Sequence, residues 1–155
     1  MAYRVRGLCP APFQQFFGQS DAALARKGVI RCPVESYPGT PDRVTMQDLA
    51  VGETALLLNF EHLPVDSPYR SRHAIYVKEG ATEAYDAVDT LPEVMTRRIL
   101  SLRGIDRHGH IADADLSEGD QIATTIKRLL QNPEVAYIHA HYAQRGCFAG
   151  LIERA

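Results

Sequence analysis

The sequence predicts a single α+β domain spanning residues 1–155. It is expected to be a largely antiparallel sheet with a C-terminal β-hairpin, partly covered by a few helices. Three observations predict this. Short apolar or alternating runs recur along the chain, and most connections between them are short or irregular. One segment near residue 120 carries a clear helical stripe. The Pro/Gly-rich stretches "SYPGTPDR" (36–43) and "HLPVDSPYR" (62–70) read as loops rather than as a long interdomain linker.

In chain order, Tyr3–Gly7 is the first expected strand, and "PAPFQQFF" (10–17) is a short helix with proline in its first turn. Ser20 is placed to cap "DAALARKG", which stops at Gly28. "VIRCPVES" (29–36) is extended, though Pro33 weakens it as a strand. "ETALLLNF" (53–60) is the most apolar run and is expected to be a central strand. "HAIYVKE" (73–79) alternates as a strand should. Pro92 opens a short helix, strand "ILSLRGI" (99–105) follows, and "DRHGH" (106–110) turns the chain into "IADADL". Ser117 can cap a helix beginning at Glu118, in which Ile122, Ile126, Leu129 and Leu130 form one stripe. Asn132-Pro133 ends it. Strand "EVAYIHAHYA" (134–143) and a last strand "CFAGLIERA" close the chain.

Composition narrows the function. A formal net charge of −2 gives no broad basic field, which argues against nucleic acid as a partner. No apolar run reaches membrane-spanning length, so no membrane association is expected. The N-terminus lacks the apolar core of a secretory signal. Three cysteines with no CxxC pair read as reduced thiols, and the expected location is the cytoplasm. Two apparent motifs fail on inspection. "DADLSEGD" (113–120) has Glu118 where a calcium loop needs glycine and reaches Thr124 where it needs a bidentate acid. Glycine-rich dinucleotide or phosphate loops are absent.

The chemistry concentrates at "YIHAHYAQRGCFAGLIERA" (137–155). Alternation puts Val135, Tyr137, His139 and His141 on one face of the strand, and the more apolar Ala136, Ile138, Ala140 and Tyr142 on the core face. A three-residue loop, Gln144-Arg145-Gly146, with glycine in the left-handed conformation, would set His141 opposite Ala149. Cys147 would then lie diagonal to His141 at about 7 Å between Cβ atoms, with Phe148 and Ile152 in the core. In that register Cys147, His141 and His139 are the candidate catalytic residues, an imidazole lowering the thiol pKa. The same residues also fit a half-exposed sheet face with an inert cysteine.

A metal reading needs a third ligand. Cys147, His62 or Glu61 could complete the His-x-His pair, but no short spacing fixes one, so no metal ligand is assigned and the cofactor is left unknown. The second polar cluster, "NFEHLPVDSPYRSRHAIYV" (59–77), offers Glu61, His62, Arg70, Arg72 and His73. With Arg145 these are the candidate substrate-binding residues, arginine being suited to a small anionic ligand. Ion pairing of the same arginines with Asp66 or Glu61 is the plainer alternative. If the 61–73 loop and the hairpin turn share one rim of the sheet, the two clusters form one site.

The blocks "LLLNFEH", "SPYRS", "YVKEG", "ILSLRGID" and "VAYIHAHYAQRGCFAGLIER" together resemble an uncharacterised bacterial family, catalogued as domain of unknown function 1203. The resemblance spans nearly the whole chain, and its most specific block is the His-x-His followed by Arg-Gly-Cys. "SRHAIYV" and Tyr142 depart from the family pattern. The resemblance implies a single-domain bacterial protein and no particular chemistry. Two functions follow from the residues. One is an enzyme or anion-binding protein using the Cys/His/Arg site. The other is a non-catalytic module whose histidine face, with Tyr137 and Leu151, forms a homodimer or partner interface.

Overall fold

The computed structural model describes residues 1–155 and is an α+β fold with mostly antiparallel sheets, few helices and a C-terminal β-hairpin. Its contacts divide the chain into two compact units. The first comprises Met1–Arg6, Glu61–His73 and Asp86–Ala155; the second comprises Gly7–Phe60 and Ala74–Tyr85.

The strands are β1 (Tyr3–Arg6), β2 (Ile30–Pro33), β3 (Thr54–Leu63), β4 (Ser71–Lys78), β5 (Asp86–Val88), β6 (Leu100–Ile105), β7 (Ile111–Ser117), β8 (Tyr137–Tyr142) and β9 (Phe148–Arg154). The helices are α1 (Asp21–Arg26), α2 (Glu93–Thr96) and α3 (Gln121–Gln131), with a 3-10 segment at Ala11–Phe16.

The first unit holds a six-stranded sheet in the order β5-β1-β9-β8-β6-β7, and its neighbouring strands pair antiparallel. The α3 stripe expected from the sequence is buried as a set, Ile122, Ile126, Leu129 and Leu130, on a helix that packs against β6, β7 and β8. Leu100, Leu102, Ile138, Ala140 and Ile152 are also buried in this unit. The start of the helix differs from expectation. It begins at Gln121 after Asp120, and Ser117 ends β7, its hydroxyl bonded to Thr125 Oγ1 at 3.0 Å. The turn at Gly119–Asp120, closed by Gln121 N donating to the Glu118 carbonyl at 3.1 Å, keeps Ser117 out of the cap.

The segment between β3 and β4 is fixed within the same unit. Ser67 Oγ donates to the Gly109 carbonyl at 2.8 Å, and Tyr69 packs its ring 5.8 Å from His110. Gly109 has φ +79°, and a Cβ there would come within 2.6 Å of a Val65 methyl, so glycine is required on both counts.

In the second unit, β2 pairs antiparallel with β3, and β3 is the middle strand of the order β2-β3-β4, as its apolar run suggested. Phe13, Leu24, Val29, Val44, Leu56, Leu58, Ile75 and Val77 pack into its core. Ser20 caps α1 as expected, accepting from Ala23 N at 3.1 Å. A buried carboxylate, Asp42, organises the 41–48 loop. It accepts from Val44 N (3.2 Å), Thr45 N (2.7 Å), Thr45 Oγ1 (2.6 Å) and Lys78 N (2.7 Å).

The C-terminal hairpin corrects the expected register. Ile138↔Ile152, His139↔Leu151 and Ala140↔Gly150 pair as the three-residue loop would have them. The ladder then shifts, and His141 pairs with Phe148 instead of Ala149. Tyr142 N donates to Cys147 O at 2.9 Å, so the loop is the four residues Ala143–Gly146, with Gly146 at φ +81°. Ala149 is the extra residue of a β-bulge, and the bulge carries Phe148 over to the histidine side. Cys147 consequently lies opposite Tyr142, not diagonal to His141 on the histidine face.

Candidate metal centre

β8 is an inner strand of the six-stranded sheet, and its His139 and His141 are 6% and 1% exposed. The half-exposed histidine face read from alternation is therefore a buried one. His62, near the end of β3, joins them. Its ring centroid lies 4.7 Å from that of His141 and 5.9 Å from that of His139. Phe148, shifted by the bulge, stacks on His62 (5.7 Å, 6° between planes) and meets His139 and His141 edge-on at 5.0 and 5.9 Å. Tyr137 adds a ring 5.1 Å from His139.

One ring nitrogen from each of His62, His139 and His141 lies within 4.8 Å of the other two. His62 Nδ1, His139 Nδ1 and His141 Nε2 are buried without a hydrogen-bond partner. Burial of this kind normally goes with a satisfied nitrogen, so three orphans in one cluster call for an account. His141 Nδ1 lies 2.9 Å from the Gly146 carbonyl. Since a carbonyl only accepts, Nδ1 carries the proton and Nε2 presents a bare lone pair.

All three imidazoles are held neutral. Burial pushes His62 and His139 down to about 4 and His141 down to about 3, with Arg103 and the neighbouring histidines adding repulsion. The Gly146 contact opposes the shift at His141 without reversing it. Arg103 stands on β6 directly opposite His139, one strand over, and Ser101 stands opposite His141. Arg103 Nε donates to Ser101 Oγ at 3.2 Å.

Among the candidate substrate-binding residues, only His62 enters this cluster. Glu61 points away from it by strand alternation and pairs with Arg70 (2.9 Å) and Arg72 (3.9 Å). His73 is felt at His62 as a repulsive charge. Arg145 is exposed in the hairpin loop. Cys147 is buried but is not among the converging donors. Of the 61–73 segment, His62 alone reaches the β8 histidines. Sequence reasoning missed Arg103, although Ser101 and Arg103 on one side of an otherwise apolar strand were a visible signal.

Residues 39–154 match a family described as "Protein of unknown function (DUF1203)", and the chain belongs to that family. No curated protein and no solved structure gives a significant match. No helix is long and apolar enough to cross a membrane.

Proposed function

We propose that the protein binds a divalent transition-metal ion through His62, His139 and His141, as an open three-histidine centre. The observation that carries this reading is the convergence of His62, His139 and His141, each offering a ring nitrogen within 4.8 Å of the others and each holding one buried ring nitrogen without a partner. Around an ion with bonds of 2.0–2.1 Å, three tetrahedral nitrogens stand about 3.3 Å apart, so small ring rotations close the site. Neutral imidazole is the ligating form, and the Gly146 carbonyl orients His141 as outer-shell acceptors do in metal sites. An all-imidazole set suits zinc, iron, nickel or copper. With three protein ligands, an ion keeps a position for water or substrate and can act there as a Lewis acid, so an enzymatic role fits the site.

The second reading is a structural aromatic cluster, favoured by the parallel stacking of Phe148 on His62. Titration calorimetry of chelator-stripped protein with Zn²⁺ and Co²⁺ separates the two. We expect one-to-one binding, weakened more than about tenfold by His141→Ala and by His139→Ala. Absence of saturable binding to the folded wild-type chain would leave the aromatic cluster as the account.

A further inference from the structure

We propose that Arg103 makes this centre a two-point site for a small monocarboxylate, one carboxylate oxygen on the ion and the other on the guanidinium. The inference rests on the three-histidine reading above. A divalent ion held by three neutral imidazoles keeps its full charge of +2, and Arg103 on the adjacent strand adds another positive charge. Arg103 has no carboxylate partner, its one hydrogen bond being to the Ser101 hydroxyl. Glu61, the nearest acid in sequence to a ligand, is engaged by Arg70 and Arg72, and Asp113 and Asp115 are taken by Arg128. A half-buried guanidinium without an acid is costly, and burial already lowers its pKa. The compensating anion therefore has to come from outside.

Its chemistry follows from the surroundings. Guanidinium offers a planar fork that matches an oxyanion. The neighbouring side chains are rings, Phe148 beside all three imidazoles and Tyr137 beside His139. A single cationic side chain and aromatic walls suit a carboxylate on a carbon skeleton better than a strongly hydrated phosphate dianion.

The test uses the full chain loaded with Co²⁺, whose visible spectrum reports its ligands. Acetate and benzoate should perturb the spectrum saturably, and inorganic phosphate more weakly at the same concentration. Arg103→Met should weaken carboxylate binding by about tenfold or more. The same substitution should leave Co²⁺ binding as tight as before or tighter, because a repulsive charge is gone. Arg103→Lys, which keeps the charge and loses the fork, should fall between. A purely structural arginine would weaken both equally. If Co²⁺ fails to bind, the metal reading itself falls. If Co²⁺ binds but carboxylates leave its spectrum unchanged, or act equally on wild type and Arg103→Met, only the carboxylate inference falls. Tighter phosphate than carboxylate binding would overturn the ligand class.

Discussion

His141 is the residue on which most of the site depends, because it is fixed from both ends. The Gly146 carbonyl holds one nitrogen, and the other faces the cluster. The depressed pKa values of the three histidines set the sign of a pH effect. A free histidine takes up a proton near 6.5, whereas His62 and His139 resist until about 4 and His141 until about 3. Between those limits the unfolded chain holds more protons than the folded one, so acid favours unfolding. Stability should be fully present above about pH 6.5 and drain away as the pH falls toward 4. The slope is at most about 1.4 kcal/mol per pH unit for each buried ring. Urea denaturation of the metal-free protein at pH 7.5 and pH 5 checks this, and equal midpoints would contradict it. Phe148→Ala should cost about 3–5 kcal/mol, since its ring touches all three imidazoles. At this scale the sequence displayed the types of residue but not their company. His139 and His141 are adjacent by alternation alone, whereas placing His62 and Arg103 beside them needs the strand order, which local pattern does not encode.

Elements show where periodicity succeeds and where it stops. The α3 stripe and the most apolar strand were legible because burial imposes a repeat on them. The hairpin was half legible. Glycine at 146 announced a left-handed residue, and the pairing from Ile138 to Ala140 followed from matching apolar faces. The bulge at Ala149 left no mark, because an extra alanine on an already buried strand breaks no pattern. Gly146→Ala isolates the turn. A Cβ there meets nothing within 4 Å, so the loss should be purely conformational, about 1 kcal/mol by thermal or urea denaturation. The 41–48 loop makes the opposite case. Asp42→Ala orphans four donors at once and should cost about 3 kcal/mol or more in the same assay. Nothing in "TPDRV" marks that aspartate as buried, since its partners are backbone amides that no side-chain pattern reveals.

For the whole molecule, the path of the chain decides how it unfolds. Neither compact unit is a continuous segment; the chain passes between them at Arg6/Gly7, Phe60/Glu61, His73/Ala74 and Tyr85/Asp86. We therefore expect residues 1–155 to behave as one cooperative domain. Calorimetry should give a single transition whose calorimetric and van't Hoff enthalpies agree, and two resolved transitions would show independent units.

The place of β1 bears on how the chain can be shortened. The family match begins at residue 39, which invites trimming of everything before it. Yet β1 sits between β5 and β9, paired with both through Tyr3–Arg6. Removing it would take out the strand that joins β5 to β9, leaving the bared backbone of β9, the direct neighbour of the histidine strand β8, free to recruit a strand from another molecule. A trimmed chain should thus fail by sticking to its own kind, because a segment outside the family match holds one edge of the strand that pairs with the histidine strand.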